Sequence, residues 1–270
     1  MRDIWVTCQS AQIAVSETGS GDPIVFVHAG VADRRSWFEV MKHVGQTRRA
    51  IAYDRRGFGA TTFVSEPHSA LDDLVAVLDA LNVDRCVVAG CSNGGQIAFE
   101  MALRLAERVL KLVLVDSAPP GGPVIEPSPA VARLFAAIDA AEAAGDAALL
   151  NELEAQLWLD GPDAPAGRVS GPTRALFLEM NGRALASADV GAAEPMTGRW
   201  DQLPELTMPT LVVVGAQDLP SIVERARHVA SIVPNAELVT IADAAHLPML
   251  DQPAKFVECL NAFLSSADNR

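Results

Sequence analysis

Positive charge is scarce in this chain. Its 270 residues carry 21 Lys and Arg against 34 Asp and Glu, a formal charge of −13 and a pI near 4.7. A surface of that sign repels phosphate backbones and anionic headgroups, which argues against nucleic-acid or membrane-surface partners. Also missing is any run of about 18 apolar residues, the length a bilayer-crossing helix requires. The opening MRDIWVTCQS lacks the basic-then-apolar order of a signal peptide, so a soluble cytoplasmic protein is expected. The four cysteines, Cys8, Cys86, Cys91 and Cys259, form no CxxC spacing, and a chain this long has no need of disulfide staples, so reduced buried thiols are expected. The five histidines, His28, His43, His68, His228 and His246, include no HxH or HxxxH pair. A metal site therefore has little support, and no cofactor is expected. There is no internal repeat or low-complexity tract.

What is present is a chain half apolar, long enough to bury one large core or a core plus a smaller subdomain. Short, nearly continuous apolar runs recur at Ile24 to Val27, Arg85 to Gly90, Leu112 to Val115 and Leu211 to Val214. Runs rich in β-branched residues and lacking alternation suit parallel strands covered on both faces. Helical periodicity separates them, over residues 36–45, 69–81, 94–106, 221–232 and 253–264. Alternating strand and helix predicts an α/β fold with an open, mostly parallel sheet flanked by helices. Ile4 to Thr7 and Ile13 to Ser16, followed by a Gly/Pro-rich turn, predict an antiparallel N-terminal meander. The rhythm breaks after Pro119-Pro-Gly-Gly-Pro123, where three helical stretches and no convincing strand lie before the next sheet run. Residues 1–118 and 205–270 are expected to form the core, and residues 119–204 an inserted helical lid.

One stretch, Ala89-Gly-Cys-Ser-Asn-Gly-Gly95, sits where an apolar run gives way to a helical one. Its pattern Gly90-x-Ser92-x-Gly94 suits a sharp strand-to-helix turn whose arms nearly touch, leaving no room for side chains two residues either side of the serine. The hydroxyl would then stand at a helix N-terminus, where developing negative charge is favoured. Such a serine requires a base. Catalytic groups in open α/β sheets gather after the carboxyl ends of strands, and there stand His28-Ala-Gly30, Asp54 to Gly59, Gly215-Ala-Gln-Asp218 and Asp243-Ala-Ala-His246. A serine, an acid and a histidine thus follow three different runs in the order Ser, Asp, His.

Together VFVHAG (25–30), DRRGFG (54–59), GCSNGG (90–95), VVVGAQD (212–218) and AAHLPMLDQP (244–253) make the chain resemble the α/β-hydrolase fold superfamily over essentially its full length. The nearest branch is that of lidded esterases, enol-lactonases and C–C bond hydrolases. The resemblance implies Ser92 as nucleophile, His246 as general base and acid, and Asp218 as the group orienting the imidazole. It also implies an oxyanion donor in the loop after His28, at Gly30 or at Ala29, the latter standing where glycine is usual. The chemistry agrees. A serine hydroxyl needs an adjacent imidazole to take its proton, and an aspartate on that imidazole fixes its tautomer. A tetrahedral oxyanion needs N–H donors, of which the Asn93 backbone, directly after the nucleophile, is one.

Alternatives remain for several positions. Asp116 also ends a strand and is the second candidate for the acid; His28 reads as a turn residue, Cys91 as a buried thiol, and Asp54, Arg55 and Arg56 as loop-holding charges. Trp37, Phe135, Trp158, Phe177 and Met180 are candidate pocket walls, as is Trp200, with ordinary core packing the competing assignment.

The expected function is hydrolysis by water of a small-molecule carboxylic ester or lactone through an acyl-enzyme, by a monomer or homodimer. C–C hydrolysis of a vinylogous diketone is the alternative, although the stretch HAGVADRR is short for that group. A ligand receptor on the same fold is a third reading. Relatives that hydrolyse halides or epoxides place an aspartate where this chain has Ser92. Between Pro120 and Leu203, twelve acidic residues face five arginines, which predicts a preference for neutral substrates unless Arg133, Arg174 or Arg183 pairs with a carboxylate.

Overall fold

The computed structural model describes residues 1–266. Eight strands form one sheet: β1 (Arg2–Cys8), β2 (Ala11–Thr18), β3 (Pro23–Val27), β4 (Arg49–Tyr53), β5 (Cys86–Cys91), β6 (Val109–Val115), β7 (Thr210–Gly215) and β8 (Ala236–Ile241). Their spatial order is β1-β2-β4-β3-β5-β6-β7-β8, with β1, β2 and β4 paired antiparallel and every other neighbour parallel. The helices are α1 (Phe38–Val44), α2 (Ala70–Ala80), α3 (Asn93–Arg104), α4 (Pro129–Ala143), α5 (Ala147–Ala155), α6 (Gly171–Leu185), α7 (Pro220–Ile232), α8 (Pro248–Asp251) and α9 (Pro253–Ser265). This is the mostly parallel, helix-flanked sheet expected from the runs, and the architecture that the resemblance to α/β hydrolases implies.

Why the strands read as unbroken apolar runs is visible in the two cores. Along β3, Val25 and Val27 face a core built with α2, α3 and α7, whereas Ile24 and Phe26 face one built with α1 and α9. A strand covered on both faces cannot carry a polar alternate residue cheaply. The edge strand β8 is the exception, since Glu237, Leu238 and Thr240 are exposed.

Between β6 and β7 the chain forms α4, α5 and α6 and no sheet strand. Ser128 and Asp146 cap α4 and α5 by accepting from the backbone N–H of Val131 and Leu149. Phe177 and Met180 of α6, with Leu159 and Val169, enter the same apolar cluster as Trp37 and Phe256. Arg168 fastens the segment further, donating to the Asp251 carboxylate (2.5 Å) and to the Asp243 carbonyl (2.9 Å).

Parallel pairing puts Cys91, Val115, Gly215 and Ile241, the last residues of four adjacent strands, at one end of the sheet. The turn after β5 is tight. A side-chain carbon at Gly90 would lie 2.2 Å from the Gly94 carbonyl oxygen, and one at Gly94 would lie 2.3 Å from that of Val27. Both obstacles are backbone atoms and cannot rotate away. Gly94→Ala is therefore expected to destabilise the protein by at least about 1–3 kcal/mol in urea unfolding. A change within about 0.5 kcal/mol would mean the turn relaxes freely.

Candidate active site

Ser92 has φ 52° and ψ −120°, backbone angles that cost a non-glycine residue roughly 1–3 kcal/mol. Its neighbours hold it there. Its N–H donates to the Val115 carbonyl (2.9 Å), and its carbonyl accepts from Gly95 N (2.9 Å), Gln96 N (3.1 Å) and Ser117 Oγ (2.7 Å). The side chain is half-buried immediately before α3.

His246 follows β8 and is buried, its Nδ1 2.7 Å from Asp218 Oδ2. Asp218 Oδ1 accepts from Leu219 N (2.7 Å), so both carboxylate oxygens are engaged. With the carboxylate as acceptor, the proton sits on Nδ1 and the Nε2 lone pair stays free. The Trp158 ring lies against the imidazole with centroids 4.5 Å apart, on the π-helical turn Gln156–Asp160 that ends α5. Ser92 and His246 line one cavity of about 130 Å³ with Gln96, Asp116, Trp158 and Arg225. Ser92 Oγ makes no hydrogen bond among the described residues, as is common before a substrate tightens such a contact.

The two candidate acids have different surroundings. Asp116 has φ 45°; its Oδ1 accepts from Gly215 N (2.9 Å), and its buried Oδ2 has no partner. Burial, and then the neighbouring Asp218 carboxylate, push its carboxyl well above the usual carboxylate range. Asp218, not Asp116, holds the imidazole. Among the described residues, Asp116, Asp218 and His246 are the one set of metal-capable side chains whose donor atoms converge, within 4.8 Å. Holding an ion there would require breaking the His246–Asp218 bond.

In the loop after β3, His28 is locked in a single tautomer. The Arg55 backbone N–H must donate to Nε2 (3.0 Å), so Nδ1 carries the proton and donates to the Ala29 carbonyl (2.7 Å). Burial, and then Arg55, keep His28 well below the ordinary histidine range, hence neutral. Arg55 Nη2 also donates to the Ala29 carbonyl (3.1 Å). That carbonyl shares a peptide plane with the Gly30 N–H, so fixing one fixes the other. Ala29 is buried and Gly30 half-buried, and a side-chain carbon at Gly30 would lie 3.1 Å from Asn93 Nδ2. Asn93 opens α3, so its N–H has no intrahelical partner; its exposed side chain lines a second cavity, about 390 Å³, that meets the first at Gln96. In the adjoining loop, Asp54 accepts from Arg34 and from Ala60 N (2.7 Å), while Arg56 pairs with Asp73 (2.9 Å) and Glu66 (2.7 Å).

Of the expected pocket walls, Trp158 alone borders the cavity that holds Ser92. Trp37 is fully buried between Phe26 and Phe256, Phe177 and Met180 are fully buried in the same cluster, and half-buried Phe135 packs on Val131, Leu157 and Leu219. They are apolar residues at helical spacing that the core absorbs. The sequence reading passed over Gln96, Ser117, Ile222 and Arg225. A signal existed for the last two, because α7 begins two residues after Asp218 and its first turns must run close to the acid. A larger cavity of about 790 Å³ lies beyond Asp218, between the loop at Asp163 to Arg168 and α7, and does not reach Ser92.

The raised Asp116 carboxyl has a consequence for stability. Its folded state binds a proton that the unfolded chain releases above about pH 3.9. The stabilisation is complete below that pH and is lost as pH rises through the folded value. Asp116→Asn retains a carbonyl acceptor for Gly215 N–H without the ionisation. Unfolding at a series of pH values should show wild type losing stability relative to Asp116→Asn as pH rises; parallel curves would remove the perturbation.

Among curated proteins, the chain is 29% identical to the 2-hydroxymuconate semialdehyde hydrolase of Pseudomonas sp. strain CF600, with 93% of this chain and 90% of that protein covered. Among solved structures it resembles a thermophilic esterase from Thermogutta terrifontis, with TM-score 0.76, 26% identity and 98% of each chain covered. It also resembles Est816, described as an N-acyl homoserine lactone degrading enzyme, with TM-score 0.75, 28% identity, and 96% of this chain and all of that one covered. Residues 24–259 match the model of the Alpha/beta hydrolase family, and the chain belongs to that family.

Proposed function

We propose that this hydrolase cleaves a carboxylic ester or lactone through an acyl-enzyme on Ser92. The observation that carries the reading is the shared cavity: a serine on a strained strand-to-helix turn faces a buried histidine whose far nitrogen is bonded to Asp218. His246 Nε2 takes the Ser92 proton as Oγ attacks the carbonyl, then delivers it to the departing alcohol. Asp218 stabilises the imidazolium formed in between. The oxyanion is received by the Asn93 N–H, at the start of α3, and by the N–H of Gly30 or Ala29. Water then attacks the acyl carbon as His246 takes its proton, the bond from Ser92 Oγ to that carbon breaks, and His246 returns the proton to Oγ as the carboxylic acid leaves. Residues 119–204 act as a lid over the core of 1–118 and 205–270, contributing Trp158 to the acyl-side wall. C–C bond hydrolysis is the second reading, favoured by likeness to the Pseudomonas semialdehyde hydrolase. A turnover screen on acyl esters, small lactones and a vinylogous diketone separates the two.

A radiolabelled organophosphorus ester is expected to modify Ser92 alone, one label per chain, located by peptide mass mapping; a label elsewhere on active protein removes the assignment. Asp218→Asn should lower kcat by a factor on the order of 10⁴ by favouring the wrong tautomer, and Asp116→Asn far less. The reverse ranking would transfer the acid's role to Asp116.

Because Trp158 touches the imidazole and borders the cavity, its truncation should alter which acyl chain fits. Discrimination per methylene in an apolar wall is about 1–3 kcal/mol. Trp158→Ala is therefore expected to move the optimum of kcat/KM along a series of para-nitrophenyl esters toward longer acyl chains, and an unaltered profile would return Trp158 to a packing role.

A further inference from the structure

The cavity that holds Ser92 and His246 contains a cation that no acid neutralises. Arg225, on α7, donates from Nη2 to the Pro119 carbonyl (2.6 Å) and lies over the Trp200 ring, 5.5 Å from its centroid. Its Nε is buried without a partner, and no carboxylate stands within ion-pair distance among the described residues. Burial alone displaces its guanidinium, downward, with no opposing acid. Most inward-facing arginines here are matched: Arg34 with Asp54, Arg35 with Asp33, Arg56 with Asp73, Arg168 with Asp251, and Arg174 with Asp160. Arg55 is the other unmatched one, but it is committed to the Ala29 carbonyl and the Phe58 face, in a cavity that also contains Asp73 and Glu194. The single carboxyl lining the Arg225 cavity is Asp116.

We propose that Arg225 is the anion-binding residue of the Ser92 cavity and receives a carboxylate that the substrate carries a few bonds from its scissile carbonyl. The inference rests on Ser92 being the nucleophile. At about 130 Å³ the cavity that joins Ser92 to Arg225 admits only a short spacer between carbonyl and anion, so the substrate class is a half-ester of a short dicarboxylic acid or a lactone bearing a nearby carboxylate. Burial and the neighbouring Asp218 carboxylate push the Asp116 carboxyl well above the usual carboxylate range, which lessens its repulsion of an anion. A guanidinium suits this role, since it carries five N–H donors in a fixed fork and the Pro119 carbonyl engages only Nη2.

An anion site at Arg225 opposes the expectation drawn from lid charge. Arg133 is exposed, Arg183 pairs with Glu179, and Arg174 is held by Glu152 and Asp160, so none of the three candidate lid arginines serves the cavity. Their acidic neighbours act across solvent, where screening takes hold within about 8 Å, whereas a cation at contact in a partly dry cavity is screened much less.

The test compares para-nitrophenyl hydrogen glutarate with its neutral methyl ester as a ratio of kcat/KM. Wild type should favour the anion by about tenfold or more. Arg225→Gln and Arg225→Met should lower the ratio by about tenfold to a hundredfold, and Arg225→Lys should restore part of it. A purely structural role, through Pro119 and Trp200, would slow both esters alike and leave the ratio where it was. An unchanged ratio with Ser92-dependent turnover overturns the anion site and leaves the esterase reading standing. Were neither ester turned over, calorimetry of monomethyl glutarate with the Ser92→Ala protein decides: binding that Arg225→Met abolishes supports the site, and absent or unaffected binding overturns it.

Discussion

The arrangement around Ser92 depends on a steric constraint, the lack of space on either arm of the turn that joins β5 to α3. A side-chain carbon at Gly90 or Gly94 would meet a backbone oxygen at 2.2 or 2.3 Å, and one at Gly95 would meet the Ser117 side chain at 2.4 Å. The turn therefore closes with glycine on both arms and Ser92 at its bend. Its strain is offset by hydrogen bonds from the Ser92 backbone to β6, to Gly95 and Gln96, and to Ser117. Those contacts couple the serine to the end of β6, the strand that separates it from β7 and Asp218.

A second constraint is electrostatic. Two aspartates stand side by side behind the imidazole, and both cannot easily be charged in so little water. Partners break the tie. Asp218 receives the His246 ring N–H and the Leu219 N–H, while Asp116 receives one N–H and is left with a bare oxygen. The carboxyl with both oxygens hydrogen-bonded is the one on the histidine. Unequal hydrogen bonding thus assigns different roles to two residues that look equivalent at strand ends.

From the segment between β6 and β7, Trp158, placed by a π-helical turn that Gly161 (φ 98°) terminates, lies against the imidazole. Phe177, Met180 and Arg168 of the same segment hold it to the core, while Pro119 and Trp200 contact Arg225. The proposed anion contact comes from the core helix α7 instead. Specificity on this reading is divided between a wall the insertion supplies and a cation the core supplies.

Much of the fold was legible because burial on both faces forces parallel strands into unbroken apolar runs, and all four central runs named from the sequence are strands. The tight turn at Ser92 was legible for an equally local reason, since close backbone approach leaves glycine as the residue that fits at Gly90 and Gly94. The positions of Asp218 and His246 after β7 and β8 followed from strand order. Tertiary structure alone decided between Asp116 and Asp218, because which carboxyl meets the imidazole depends on how β6, β7 and β8 stack and how their loops return. It alone removed Trp37, Phe177 and Met180 from the cavity and left Trp158, since helical periodicity marks a buried face without saying whether a core or a cavity lies against it. It alone brought Arg225 beside Ser92, 133 positions apart in the chain, because a charge's partners, or their absence, exist only once the chain is folded.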